Sequence, residues 1–105
     1  MDVSQRIKET VDSNRVMLFM KGNRDFPQCG FSGRAIQILQ ALGAEFETAD
    51  VLMDDEIRQG IKAFSNWPTI PQLYINGEFV GGSDIMMEMY ENGELKKALS
   101  QTPAA

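Results

Sequence analysis

The sequence predicts an α/β fold in which a four-stranded mixed sheet is flanked by helices. Short apolar runs alternate with segments whose apolar residues follow helical spacing, and Asn76-Gly77 between two such runs is a strong hairpin signal. The order α-β-α-β-α-β-β-α then places a βαβ unit beside an antiparallel hairpin. The chain has 105 residues and 43% hydrophobic content, which suits one core, so we expect a single domain over residues 1–105.

The first half of the chain supplies two helices and two strands. Apolar residues at helical spacing predict a first helix that ends near Asn14: Val3, Ile7 and Val11. The continuous apolar run 16–20 predicts a strand that is buried on both faces. The apolar face of the second helix, which Gly43 terminates, consists of Phe31, Ala35, Ile38, Leu39 and Leu42. Residues 46–51 are interpreted as the second strand.

The second half adds a helix, a hairpin and two further helices. The third helix has acidic residues in its first turn and a buried face: Asp54, Asp55 and Glu56, then Ile57, Ile61 and Phe64. Residues 67–71 contain two prolines and end the third helix. Strands are predicted over 73–75 and 78–80, on either side of the Asn76-Gly77 turn. Ser83-Asp84 resembles a helix cap before the apolar positions Ile85, Met86, Met89 and Tyr90. A short helix over 94–99 and a frayed end over 101–105 complete the prediction.

The charge balance argues against several classes of partner. The formal net charge is −5 and Lys and Arg form no run, so polyanions would be repelled, and we expect neither nucleic acid nor membrane partners. Residues 1–14 lack the apolar stretch of a secretion signal, and no later segment approaches a membrane span. We expect a soluble protein that is not secreted, either cytoplasmic or, after removal of a transit peptide, in an organelle interior.

Cys29 is the only cysteine, and the chain contains no histidine. An intramolecular disulfide, a structural zinc site and a Cys-His dyad are therefore excluded. Any partner sulfur or metal must come from outside the chain. The predicted place of Cys29 at a helix N-terminus favours the thiolate, and Lys21 at the end of the preceding strand adds positive charge. The alternative is that Cys29 is a small buried hydrophobic residue, the commonest state of a free cysteine.

Four motifs point to a known family. They are Lys21-Gly22, Cys29-Gly30-Phe31-Ser32, the segment 66–72 with the sequence NWPTIPQ, and Gly81-Gly82-Ser83-Asp84. With these motifs the chain resembles the monothiol glutaredoxins of the CGFS class. The resemblance implies a thioredoxin-like fold, glutathione as ligand, and a [2Fe-2S] cluster shared between two subunits. It also implies a homodimer held through the cluster, a monomer in the apo form, and Cys29 as both catalytic residue and metal ligand.

The resemblance also assigns the glutathione contacts. Lys21 and Arg58 would hold the glycine carboxylate, and Asp84 would accept hydrogen bonds from the ammonium group. The backbone N–H of Ser83 would bind the γ-glutamyl carboxylate. The backbone of Ile70, before a proline whose family counterpart is cis, would pair with the cysteinyl unit as an added strand.

Each assignment has a structural alternative. Arg58 would instead pair with Asp54 or Asp55 across one helical turn, and Asp84 would be only a helix cap. Trp67 is predicted to pack in the core rather than to stack over a ligand. Three methionines are interpreted as residues of the core or of a half-exposed surface, with no role in binding a cofactor: Met86, Met87 and Met89.

Ser32 limits the redox chemistry. Dithiol relatives use a second cysteine at this place, and a hydroxyl cannot attack a disulfide at neutral pH, so intramolecular resolution is excluded. A [2Fe-2S] cluster generally takes four thiolates, whereas two copies of this chain offer only two. Two glutathione molecules would complete the set. Some CGFS proteins also carry a cysteine where this chain has Ser83, so internal disulfide control is absent.

Three functions follow from the resemblance. The first is a carrier that passes a labile [2Fe-2S] cluster to apo iron-sulfur clients and acts in redox homeostasis. The second is a glutathione-dependent thiol-disulfide oxidoreductase using a monothiol mechanism. We expect weak activity of this kind at most, because the long loop 22–28 is associated with weak thiol transfer in the family. The third is a regulatory adaptor that pairs with a BolA-like protein, and the sequence does not rank it.

Overall fold

A computed structural model describes residues 2–101 of the chain. Its order of helices and strands agrees with the order predicted from the sequence. The helices are α1 Val3–Ser13, α2 Gly30–Ala41, α3 Asp55–Ser65, α4 Ser83–Asn92 and α5 Glu94–Ser100. The strands are β1 Val16–Met20, β2 Glu47–Asp50, β3 Gln72–Ile75 and β4 Glu78–Gly81. A short 3₁₀ helix, Val51–Met53, follows β2. Within residues 2–101 no helix is both long enough and apolar enough to cross a membrane.

The sheet is mixed and has four strands in the order β2-β1-β3-β4. Strand β1 pairs in parallel with β2, where Met20 lies opposite Asp50, and antiparallel with β3, where Phe19 lies opposite Gln72. All five residues of β1 are buried, as its continuous apolar run predicted. The predicted α/β class and mixed sheet are confirmed.

Alternation along β1 divides the core between the two faces of the sheet. Val16, Leu18 and Met20 pack in a cluster with residues of α2, α4 and α5. Met17 and Phe19 pack in a second cluster with residues of α1 and α3. The sheet therefore carries α1 and α3 on one face and the other three helices on the opposite face. Both α2 and α3 begin at the end of the sheet where β1 and β2 terminate.

Several predicted boundaries need correction. The second strand is shorter than residues 46–51, because the Asp50 carboxylate accepts hydrogen bonds from Leu52 N, which caps the 3₁₀ turn, and from Gly22 N, both at 2.9 Å. Phe31, predicted to lie on the buried face of α2, is 58% exposed. The Gln101 carbonyl accepts a hydrogen bond from Arg15, and the rest of the predicted frayed end, 102–105, lies outside the described residues.

Candidate functional site

Cys29 is the N-cap residue of α2, as the sequence predicted. Its backbone is extended, with φ −154° and ψ 157°, and its Sγ atom accepts a hydrogen bond from the Ser32 N–H at 3.3 Å. The thiol is half-buried, so the alternative of a core cysteine is wrong. A half-exposed sulfur at a helix N-terminus faces unpaired backbone N–H groups, which favour its anionic form.

The hydroxyl of Ser32 supports the same sulfur. Ser32 is fully buried, and its Oγ atom lies 3.3 Å from Cys29 Sγ. That oxygen already accepts a hydrogen bond from the Lys21 N–H at 3.1 Å. Because a hydroxyl carries one hydrogen as well as two lone pairs, its hydrogen remains available to the sulfur. The Cys29 thiol donates to this oxygen when protonated, and once it ionises the Ser32 hydroxyl can donate to the thiolate instead.

The pKa of the Cys29 thiol lies below its ordinary value. Burial is the largest single influence and acts to raise the pKa, but four effects together outweigh it. In order of size, they are the hydrogen bond from the Ser32 hydroxyl, those from the Ser32 and Phe31 N–H groups, and the charge of Lys21. A larger fraction of the sulfur is therefore thiolate near neutral pH than in a free cysteine.

Substitution Ser32→Ala is expected to raise the pKa of Cys29, since it removes the largest stabilising contact to the thiolate. The rate of alkylation by iodoacetamide, measured from pH 5 to 10, should then rise at higher pH than in the wild-type protein. Free glutathione in the same buffers gives the reference profile of an unperturbed thiol. Coincident profiles for Ser32→Ala and wild type would show that the hydroxyl does not stabilise the thiolate.

A cleft of about 380 Å³ lies next to this helix start. Its walls come from the end of β1, the start of α2, helix α3, the loop 67–71 and the start of α4. All five residues predicted to contact a ligand line it: Lys21, Arg58, Ile70, Ser83 and Asp84. Cys29 is not among the lining residues, but Phe31, two residues further along α2, is.

The cleft carries positive charge on one wall. Arg58 and Lys62 line it from α3, and Lys21 lines it from the end of β1. The predicted alternative, an ion pair of Arg58 with Asp54 or Asp55, is not found within residues 2–101. Asp54 instead pairs with Arg6 at 2.5 Å, and this hydrogen bond is the main reason why the pKa of Asp54 is lowered. The Arg58 guanidinium is therefore available to an anion.

Lys62 is a candidate residue that the sequence interpretation missed. It lies four positions after Arg58 in α3, so both side chains project from the same side of the helix. The four-residue spacing from Arg58 could have indicated that Lys62 lies beside it. Both cations line the cleft, whereas the predicted apolar positions of α3 pack against the core.

The start of α4 also lines the cleft. The N-cap residue is Gly82, not Ser83 or Asp84, and no side chain caps the helix, so the predicted cap is wrong. Ser83 is 6% exposed, and its Oγ atom has no hydrogen-bond partner among residues 2–101. The first N–H groups of an uncapped helix attract anions. Asp84 is exposed and lies 4.0 Å from Arg34.

The loop 67–71 forms the remaining wall. The Ile70–Pro71 peptide bond is cis, as the resemblance implied. The Ile70 side chain is buried in the core, while its backbone N–H and C=O make no hydrogen bond within residues 2–101. Trp67 is 36% exposed and lines the cleft, so the prediction that it packs in the core is wrong. Its ring contacts Phe79 on one side, with the centroids 5.9 Å apart.

The described residues contain no cluster that could hold a metal ion without help. No group of three or more His, Cys, Asp or Glu side chains comes together within residues 2–101. Cys29 supplies one soft ligand per chain. A thiolate-bound metal centre therefore needs ligands from other molecules.

Comparison with known proteins places this arrangement in context. A family model described as Glutaredoxin matches residues 16–80. An uncharacterized monothiol glutaredoxin from Synechocystis is 63% identical over 98 residues, which cover 93% of this chain and 92% of that protein. Rice monothiol glutaredoxin-S11 is 55% identical over 97 residues, which cover 92% of this chain but only 20% of the longer rice protein.

Solved structures with similar folds agree with these sequence matches. Reduced poplar apo GrxS14 is 50% identical, superposes with a TM-score of 0.80, and covers 94% of each chain. A buckwheat glutaredoxin–glutathione complex is 27% identical with a TM-score of 0.83, covering 93% of this chain and 87% of that one. The predicted thioredoxin-like fold is thereby confirmed.

Proposed function

This chain belongs to the glutaredoxin family, and on that premise we propose that it binds glutathione beside Cys29 and carries a labile [2Fe-2S] cluster between two subunits. Its role would be cluster transfer and redox homeostasis. The observation that carries this proposal is a single half-exposed thiol of lowered pKa next to a cleft whose charges match those of glutathione. The relatives named monothiol glutaredoxins support it.

The basic wall of the cleft suits the glycine carboxylate of glutathione. Lys21 and Arg58 are assigned to this group, and Lys62 adds a third positive charge from α3. Arginine and lysine form charge-assisted hydrogen bonds to carboxylates that are roughly twice as strong as neutral ones. The glutathione complex of the buckwheat glutaredoxin supports glutathione as the ligand class.

The other end of the cleft suits the γ-glutamyl group, which carries both a carboxylate and an ammonium. The uncapped start of α4 would bind the carboxylate through the Ser83 N–H, and the exposed Asp84 would accept from the ammonium. Between the two ends, the unpaired backbone of Ile70 would pair with the cysteinyl unit in the manner of an added strand. This placement would bring the glutathione sulfur toward Cys29.

The donor set fits a cluster shared between subunits. Each chain contributes one thiolate, Cys29, and each bound glutathione contributes another, which together make the four thiolates that such a cluster takes. When bound, the cluster would be the cargo passed to apo iron-sulfur clients. The chain's own residues would hold glutathione in place and lower the pKa of Cys29. Because the ligands link the subunits, we expect a homodimer with cluster and a monomer without it.

Anaerobic reconstitution with iron and sulfide tests this proposal. With glutathione present, the protein should develop the visible absorbance of a [2Fe-2S] centre and elute as a dimer in gel filtration. Without glutathione, it should stay colourless and monomeric. A coloured species formed equally well in the absence of glutathione or of any other added thiol would overturn the proposed ligand set.

A second function is favoured by the lowered pKa of Cys29. In this monothiol cycle, the Cys29 thiolate attacks the glutathione sulfur of a mixed disulfide, and the client leaves as a thiolate. A second glutathione thiolate then attacks the Cys29-bound glutathione, which releases Cys29 and forms glutathione disulfide. Efficient turnover of a glutathionylated peptide by colourless monomer would favour this oxidoreductase activity over the carrier.

Three expectations stay predictions: pairing with a BolA-like protein, the identity of the clients, and the cytoplasmic or organellar location. One rice relative, 54% identical over 90% of this chain, is named as chloroplastic. Titration of the reconstituted dimer with a BolA-like protein, followed by gel filtration, should yield a heterodimer if the adaptor function holds.

A further inference from the structure

Gln72 is a buried polar residue to which the proposed function gives no role. It is the first residue of β3 and is fully buried. Its Nε2 atom donates to the carbonyl oxygens of Trp67 and Thr69, each at 3.2 Å. Its Oε1 atom accepts from the Tyr74 hydroxyl at 3.0 Å. Both amide hydrogens and the amide oxygen therefore have partners within the protein.

The two carbonyls that Gln72 binds belong to the wall of the cleft. Trp67, Thr69 and Ile70 all line it. We propose that Gln72 is a positioning residue, which holds the loop 67–71 from behind so that the backbone of Ile70 stays aligned for glutathione. This inference rests on the proposed function for the identity of the ligand.

The loop has few other hydrogen bonds that could hold it. Pro68 and Pro71 have no N–H to donate. The Trp67 N–H, at the start of the loop, donates to the Lys62 carbonyl and to Ser65 Oγ, both at 3.1 Å. Beyond that point, within residues 2–101, the Gln72 side chain makes the only hydrogen bonds to the loop carbonyls of Trp67 and Thr69. The alignment of the loop therefore depends on one amide group.

The amide is itself held in one orientation. Tyr74 is buried, and burial raises the pKa of its hydroxyl to about 12, so it remains a neutral donor at physiological pH. A hydroxyl that donates to Oε1 directs the NH₂ group of Gln72 toward the two carbonyls. Aromatic contacts of Tyr74 with Phe19 and Phe79, at centroid distances of 5.6 and 5.4 Å, hold the ring in place.

Substitution Gln72→Glu separates positioning from packing. Glutamate has nearly the same shape, but its carboxyl group would face two carbonyl oxygens, to which it could donate no hydrogen bond if ionised and only one if protonated. Because a buried unsatisfied polar group is costly, we expect the loop to move away from it. Gln72→Met removes both hydrogen bonds to the loop, and also the acceptor of the Tyr74 hydroxyl, without adding charge. Tyr74→Phe removes only the hydrogen bond that orients the amide and leaves both loop carbonyls within reach of Nε2, so its effect should be smaller.

Trp67 is the only tryptophan in the chain, so its fluorescence reports this loop directly. In the apo protein without glutathione, Gln72→Glu and Gln72→Met should each raise acrylamide quenching of Trp67 by roughly twofold. Tyr74→Phe should give quenching between that of wild type and that of the two Gln72 variants. The inference would be overturned if both Gln72 variants showed the same quenching as wild type. It would also be overturned if Tyr74→Phe showed as much quenching as the Gln72 variants. If Gln72→Glu does not fold, the neutral Gln72→Met variant decides the matter.

Glutathione affinity supplies the functional half of the test. Titration of reduced glutathione, followed by Trp67 fluorescence, should show binding weakened about tenfold in both Gln72 variants, the free energy of roughly one hydrogen bond. Ile38→Val lies in the core cluster on the opposite face of the sheet from Tyr74. It controls for general loss of stability and should bind glutathione like wild type. Wild-type affinity in the Gln72 variants would overturn the inference. Absence of glutathione binding by the wild type itself would instead refute the proposed function, while the quenching comparison still tests the loop.

Discussion

Replacement of Cys29 by serine is expected to abolish both mixed-disulfide formation with glutathione and retention of a [2Fe-2S] cluster. No other sulfur nucleophile or thiolate ligand exists in the chain, which has one cysteine. A serine hydroxyl does not ionise near neutral pH and cannot exchange with a disulfide. Incubation with glutathione disulfide followed by intact mass measurement should show one glutathione adduct on wild type and none on Cys29→Ser. Visible absorbance after reconstitution should fall to background.

The fold should survive this substitution, so that the loss can be assigned to the sulfur. Serine is among the preferred N-cap residues, and its oxygen can accept the Ser32 N–H in place of Sγ. We expect a circular dichroism spectrum and a thermal midpoint close to those of wild type. A folded Cys29→Ser protein that retained cluster absorbance at the wild-type level would disprove the assignment of Cys29 as a ligand.

Charge reversal in Arg58→Glu is expected to weaken glutathione binding by on the order of 10- to 100-fold. The substitution removes a charge-assisted hydrogen bond, which contributes about 1.5–3 kcal/mol, and places a carboxylate opposite the glycine carboxylate. Arg58 makes no side-chain hydrogen bond or ion pair within residues 2–101, so its loss should leave the free energy of unfolding nearly unchanged. The glutathione concentration that half-saturates the Trp67 fluorescence change measures the effect.

A matched variant separates local recognition from net charge. Lys96→Glu makes the same change of two charge units on α5, among residues that do not line the cleft. Lys96→Glu should bind glutathione as wild type does, at equal ionic strength. If both variants weaken glutathione binding equally, the loss of affinity comes from the net charge of the protein, and Arg58 is not a specific contact.

The residues that carry local signals were predicted well. Asn76-Gly77 produces the β3–β4 hairpin, with both residues at positive φ. The apolar run of β1 becomes the buried centre of the sheet, and Gly43 ends α2 with φ +66°. These features depend on side chains within a few residues of each other, so the sequence shows them directly.

One wrong prediction and one rejected alternative concern side chains that had more than one possible partner. Ser83 and Asp84 have the side chains of a cap, but Gly82 is the N-cap and the helix begins at Ser83, whose hydroxyl has no hydrogen-bond partner within residues 2–101. The alternative for Arg58, an ion pair with an acidic neighbour in the same helical turn, is rejected because Asp54 pairs with Arg6 of α1. The Asp54 carboxylate is therefore bound by Arg6 of α1 and not by Arg58 of its own helix.

By itself, the sequence determined the α/β order, the lone thiol at a helix start, and the dependence of a thiolate-bound metal centre on outside ligands. Tertiary structure alone decided that Trp67 faces the cleft, that Lys62 joins Arg58 on its basic wall, and that Gln72 holds the loop 67–71. The physical reason is the range of the interactions. Periodicity and capping act within a few residues, whereas the cleft forms where β1, α3, the loop and α4 meet across the folded chain.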